Sequence, residues 1–145
     1  MSALTTYMTS DHRRCDDIFA ALENSVGDGD WATATAELER FLQAMERHFQ
    51  IEEEILFPAF EQATGMDMGP TRVMRSEHQQ MRGLFAELRE SSARQDADEL
   101  LGLTETLLLV MQQHNLKEEQ VLYPMTDQVV GDDAGALLDR MQAVQ

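Results

Sequence analysis

The chain has 145 residues, 43% of them hydrophobic, and sets 11 Lys and Arg against 27 Asp and Glu for a net charge of −16. That suits one compact domain over residues 1–145, and a pI near 4.4 argues against nucleic-acid binding, which neutralises phosphates with clustered Lys and Arg. No run of hydrophobic residues, such as Leu107 to Met111, comes near the ~18 residues of a membrane span; Met1 to Cys15 has no apolar signal core and the lone Cys15 forms no internal disulfide, so a cytoplasmic setting without a membrane partner is expected.

Gly and Pro divide the chain into four long helix-compatible stretches and one short one, and alternating Val/Ile/Thr runs are missing. The first stretch spans about Ser2 to Val26 and ends at Gly27-Asp28-Gly29. Asp30 caps the second, which reaches about Thr64 before Gly65 and is expected to kink or shorten at Pro58. The third opens with Pro70 at its first position and runs to about Ser91. The fourth starts at Asp96, where Glu99 completes an Asp-x-x-Glu capping box, and is expected to end or kink at Pro124. A short amphipathic stretch, Ala134 to Ala143, can lie across the end of the others. Connections of about four to seven residues favour antiparallel neighbours, so the expected fold is all-α: an up-down-up-down four-helix bundle with a short C-terminal helix.

Each long stretch carries an apolar stripe at spacings of three and four, the pattern of a helix face turned to a core. Helix 1 reads Thr5, Met8, His12, Cys15, Phe19, Leu22, and helix 3 reads Thr71, Met74, His78, Met81, Phe85, Leu88. Helix 2 reads Leu38, Phe41, Met45, His48, Glu52, Ile55, Ala59, and helix 4 reads Thr104, Leu107, Met111, His114, Glu118, Val121, Met125. Histidine interrupts all four stripes, and glutamate two of them.

A shift of 66 residues lays His12 on His78, His48 on His114, Glu52 on Glu118 and Pro58 on Pro124. The segments HFQIEEEILFP from His48 and HNLKEEQVLYP from His114 then align, so the chain reads as two helix-pair repeats, about 1–65 and 66–130. All four histidines occupy matched positions.

Two ionised glutamates on core stripes would each cost several kcal/mol if dry and unpaired. Something cationic should compensate them. Positions i and i+4 stack on one helix face, so His48 with Glu52 and His114 with Glu118 each direct a nitrogen and a carboxylate to one point. Four helices then bring four imidazoles and two carboxylates to the bundle axis as candidate metal ligands: His12, His48, Glu52, His78, His114 and Glu118. Two metals sharing them, with both carboxylates bridging, keep positions for an oxo or hydroxo bridge and an exogenous ligand. Mixed imidazole and carboxylate with open positions suits two iron ions, ahead of manganese or zinc. The competing reading of one such residue is a satisfied core histidine or a helix-surface ion pair. The duplicated set, with no histidine to spare, is what favours a metal.

Neighbouring residues carry weaker signals. Cys15 reads as a small buried hydrophobe ahead of a redox group. Tyr7 and Tyr123 could deliver electrons or hydrogen bonds, although Tyr123 aligns with Phe57 and so suggests packing. Asp11, Glu77, Glu53 and Glu119 could orient imidazoles or lie on the solvated face; Glu53 and Glu119, just off the stripe, are also candidate extra ligands. The ten methionines read as core fillers.

These residues resemble the hemerythrin superfamily, in particular the HHE cation-binding domain. Its name describes the order His, His, Glu occurring twice, here His12, His48, Glu52 and His78, His114, Glu118, and the resemblance covers about residues 10–125. It implies a four-helix bundle around a non-haem di-iron site, with His12 and His48 on one iron, His78 and His114 on the other, and Glu52 and Glu118 bridging. Oxygen-carrying members have an additional histidine one turn before the helix-3 ligand, where this chain has Met74. The four-His, two-Glu pattern is closer to proteins that repair iron centres under nitrosative or oxidative stress, although the Cys-containing N-terminal domain usual in those is not expected from residues 1–145. The function expected is a di-iron protein that binds, and could reduce, O2, NO or peroxide. The alternatives are iron handling or repair of damaged iron centres, and a metal-dependent sensor acting through a partner. No motif identifies an electron donor or a protein partner.

Overall fold

The computed structural model describes residues 2–145, which form helices and turns with no strand among them. α1 spans Ala3–Gly27 and α2 Trp31–Ile51; a π-helical turn, Glu52–Leu56, joins α2 to α3, Phe57–Thr64. α4 covers Pro70–Ala93 and α5 Ala97–Lys117; a second π-turn, Glu118–Leu122, leads into α6, Tyr123–Val130. A 3₁₀ turn, Gly131–Asp133, precedes α7, Ala134–Gln142. The four rods are therefore α1, α2 with α3, α4, and α5 with α6. α1 packs on α2, α5 and α6, and α4 on α2, α3 and α5.

Local chemistry sets most of the ends. Asp30 caps α2 by accepting from the Thr33 amide at 3.2 Å, and Asp96 caps α5 by accepting from the Glu99 amide at 3.1 Å. The expected capping box is only half built, because the Glu99 carboxylate turns to Arg94 at 2.7 Å. Gly65 closes α3 in the left-handed conformation, φ 72°. α1 has no side-chain cap from Ser2; its cap comes from α6, where Asp127 accepts from the Leu4 amide at 3.2 Å, the Thr5 amide at 2.9 Å and the Thr5 hydroxyl at 2.7 Å.

Pro58 and Pro124 do not end their helices. A proline ring collides with the carbonyl four residues earlier in a regular α-helix. Here a wide turn precedes each proline, with the Phe57 amide bonding the Glu52 carbonyl and the Tyr123 amide bonding the Glu118 carbonyl. Each wide turn advances the chain by one residue without the matching rotation, about 100° of helix. The inward stripe slips accordingly. Val121, expected inside, is 50% exposed, whereas Leu122 is 1% exposed, and Phe60 and Thr126 replace Ala59 and Met125 as the fully buried positions.

The apolar side chains gather into two cores. One holds Phe19, Leu22, Phe41, Phe85, Leu107 and their neighbours; the other holds Leu4, Met8, Phe57, Phe60, Met74, Tyr123 and, from α7, Leu137 and Met141. His12 lies between Met8 of one core and Cys15 of the other, and His48 between Met45 and Ile51. The polar residues on the stripes thus form a layer between two hydrophobic masses, each holding the helices that frame it.

Candidate metal centre

All six stripe residues converge in that layer: His12 is 4% exposed, His48 and His114 2%, and Glu52, His78 and Glu118 0%. Glu52 Oε1 lies 3.5 Å from Nε2 of His48 on its own helix and 3.1 Å from Nε2 of His78 on α4. Glu118 Oε1 lies 3.2 Å from His114 Nε2 on its own helix and 3.1 Å from His12 Nε2 on α1. Each carboxylate oxygen therefore spans an imidazole from each sequence repeat. The ligand-type atoms fall into two groups: Glu52, His78, His114 and Glu118, and His12, His48 and Glu118, with all atoms of a group within 4.8 Å of one another.

The imidazoles are aimed from behind. Every Nδ1 meets a carboxylate on another helix: His12 meets Glu119 at 2.7 Å, His48 Asp11 at 2.8 Å, His78 Glu53 at 2.6 Å and His114 Glu77 at 2.8 Å. A carboxylate on Nδ1 fixes that nitrogen as the protonated one and leaves Nε2 directed at the centre of the bundle. Three of the four carboxylates are themselves held by cations: Asp11 by Arg14 at 2.8 Å, Glu53 by Arg82 at 2.9 Å and Glu77 by Lys117 at 2.6 Å. Glu53 and Glu119 thus stand behind the imidazoles and lie outside both ligand-type groups. Phe49 stacks on His78 with ring centroids 3.9 Å apart, and the Arg82 guanidinium lies over the Phe49 ring at 5.0 Å.

Charge in the layer follows from this pairing. Burial alone would pull the imidazole pKa values down, yet Glu52, Glu118 and the Nδ1 partners raise all four, His48 most clearly. Burial would likewise raise Glu52, but His48, Glu118 and His78 hold it well below the carboxylate range. The carboxyl of Glu53, against His78 and Arg82, falls to about 2 despite its burial.

Whether the layer fits a cation is decided by its orphaned atoms. Glu52 Oε1, Glu118 Oε2, His78 Nε2 and His114 Nε2 are buried and have no aligned hydrogen-bond partner, although some lie close to one another. Buried polar atoms are otherwise almost always bonded. Four directed donor atoms without a partner, two of them anionic, fit a metal cation.

Tyr123, one of the two tyrosines the sequence offered as hydrogen-bond donors, reaches the layer. It is 0% exposed, and its hydroxyl donates to Glu52 Oε2 at 2.7 Å and lies 3.0 Å from Glu118 Oε1, 3.1 Å from His12 Nε2 and 3.3 Å from His48 Nε2. Burial, then Glu118 and Glu52, raise its pKa well above the ordinary phenol value. Of the two roles the sequence offered, hydrogen bonding and the packing suggested by the alignment with Phe57, the hydroxyl takes up the first while the ring packs in the core. Tyr7 does not reach the layer by its hydroxyl, which accepts from Arg47 at 3.1 Å. Cys15 is buried, and that burial pushes its thiol up to about 11. Met74, 3% exposed, packs in the core with Phe57 and Leu122.

Fold and site together define a helical bundle with a buried His and Glu layer whose donor atoms suit a metal cation. The chain belongs to the hemerythrin HHE cation-binding domain family, whose model matches residues 3–126. No curated protein and no solved structure matches it. Among the described residues, no helix is long and apolar enough to cross a membrane.

Proposed function

We propose that the protein is a non-haem di-iron protein that binds, and can reduce, O2, NO or peroxide. His12 and His48 would hold one iron and His78 and His114 the other, with Glu52 and Glu118 shared between them. The observation that carries this reading is the pair of carboxylate oxygens, each 3.1 to 3.5 Å from two imidazole nitrogens of different repeats. Mixed imidazole and carboxylate donors suit iron. Bound iron would supply redox-active centres with room for an exogenous ligand.

The chain's own residues restrict what that ligand can be. Every candidate ligand is at most 4% exposed and apolar cores lie on both sides, which favours a diatomic molecule or peroxide over a bulky substrate. Asp11, Glu53, Glu77 and Glu119 keep the four Nε2 atoms pointed inward. A donor set with two carboxylates is also poorer in anionic ligands than a four-carboxylate site, which favours binding and scavenging over substrate oxygenation.

The test is anaerobic ferrous reconstitution, followed by elemental analysis and titration with O2, NO and peroxide. About two irons per chain in the parent, loss of iron in Glu52→Ala, and spectral changes with at least one of the three ligands are expected. A reconstituted protein that holds no transition metal would end the di-iron reading. One that holds iron but responds to none of the three would end the ligand assignment.

A further inference from the structure

Phe57 and Tyr123 occupy equivalent positions 66 residues apart, each the first residue after its π-turn. Their rings meet equivalent histidines at the same distance: Phe57 lies 5.6 Å from His78 at 25°, and Tyr123 lies 5.6 Å from His12 at 30°. At these two matched positions the halves of the layer differ by one oxygen atom. That oxygen is not at the periphery. It lies within 3.3 Å of four candidate ligand atoms, Nε2 of His12, Nε2 of His48, Glu52 Oε2 and Glu118 Oε1.

The orphaned atoms divide the same way. Nε2 of His78 and of His114, on the Phe57 side, have no partner, whereas Nε2 of His12 and of His48 face the Tyr123 hydroxyl. The group on the Phe57 side has four residues, Glu52, His78, His114 and Glu118; the other has three, His12, His48 and Glu118. The oxygen of Tyr123 joins the smaller group. Packing alone needs no oxygen here, since Phe57 fills the matching position without one. The hydroxyl has one proton, directed at Glu52 Oε2, and its oxygen faces the remaining atoms as an acceptor or, once deprotonated, as a ligand.

We infer that Tyr123 is a seventh metal-ligating residue, its phenolate oxygen completing the coordination of the ion held by His12 and His48. The inference rests on the metal reading above and deepens it. Ligation exchanges the phenolic proton for the metal, and the proton passes to the buffer. The two metal positions would then be inequivalent in donor type, with a phenolate oxygen on the Tyr123 side and none on the Phe57 side.

The spectrum of the metal-loaded protein tests this directly, because a ferric phenolate has a visible charge-transfer band and tyrosine ring modes enhanced in resonance Raman. Parent, Tyr123→Phe and Phe57→Tyr are loaded with iron and oxidised, and each is analysed for iron. The band and ring modes are expected in the parent and lost in Tyr123→Phe while about two irons remain. Phe57→Tyr should add a second phenolate contribution. A second arm uses gallium(III), which has no redox chemistry: loading should produce the ultraviolet difference spectrum of one tyrosinate in the parent and none in Tyr123→Phe. Identical spectra in parent and Tyr123→Phe, with iron or gallium bound to both, would overturn the inference and leave the di-iron reading intact. A parent that binds neither metal would overturn both.

Discussion

His78 Nδ1 lies 2.6 Å from Glu53 Oε2, and Arg82 grips the same carboxylate at 2.9 and 3.1 Å. The imidazole on α4 is therefore aimed by a residue on the rod formed by α2 and α3, which in turn is clamped back to α4. Removing such a carboxylate from behind a ligand histidine commonly lowers metal affinity 10- to 100-fold. Glu53→Gln keeps the shape and removes the charge. It should retain the fold by circular dichroism and weaken metal binding about 10-fold or more in a chelator competition; an unchanged affinity would assign Glu53 to the surface ion pair alone.

The pairing in the layer also sets a pH dependence. His12, His48, His78 and His114 have raised pKa values, so the stability they contribute to the metal-free protein is complete below the ordinary histidine value of 6.5 and is lost as pH rises through the raised values. Asp11, Glu52, Glu53 and Glu77 are depressed by their cationic partners despite burial, and Glu119 chiefly by its bond to His12; their contribution is complete above the ordinary carboxylate range and lost as pH falls through the depressed values. Thermal unfolding of the metal-free protein should peak on the weakly acidic side and decline above neutrality. Metal affinity should move oppositely and strengthen as pH rises, because the cation displaces the same protons. A metal-free protein whose Tm climbs from pH 6.5 upward would contradict the imidazolium–carboxylate pairing.

Asp127 stitches the start of α1 to α6, a link between chain segments more than a hundred residues apart. It accepts three hydrogen bonds from Leu4 and Thr5. Losing a helix cap costs ~0.5–2 kcal/mol, and three bonds place Asp127→Ala near the upper figure, about 2 kcal/mol. In a domain of this size that lowers Tm by about 6 °C. Differential scanning calorimetry checks it, and a shift below one degree would mean that solvent caps α1 equally well.

Cys15, with a thiol pushed up to about 11 by burial, should be inert at neutral pH, since only the thiolate reacts. Labelling with a maleimide or a disulfide reagent should be at least a hundredfold slower in the native protein than in denaturant. Rapid native labelling would show instead that α1 opens locally.

The candidate ligands were legible in the sequence because they depend only on helical period and repetition. A spacing of four puts His48 over Glu52 and His114 over Glu118 in any α-helix, and the 66-residue shift exposed the duplication. The aiming carboxylates were half legible. Asp11 with Glu77 and Glu53 with Glu119 obey the same shift, yet whether an off-stripe acid faces water or a neighbouring imidazole depends on how adjacent helices are rotated. Only the assembled bundle decided that Glu53 meets His78 and Glu119 meets His12.

The place of Tyr123 was beyond the reach of periodicity. Continuing the 3.6-residue stripe past Glu118 selects Val121 and Met125, and the wide turn over Glu118–Leu122 replaces them with Leu122, Tyr123 and Thr126. Pro124 marked a disturbance in the helix but not its form. A break would have removed Tyr123 from the site, whereas the π-turn rotates it in. Sequence by itself determined that four helices carry two copies of one His and Glu pattern, because that follows from local spacing. The oxygen of Tyr123 beside His12 and His48 was decided by a change of helical phase stabilised by packing in three dimensions.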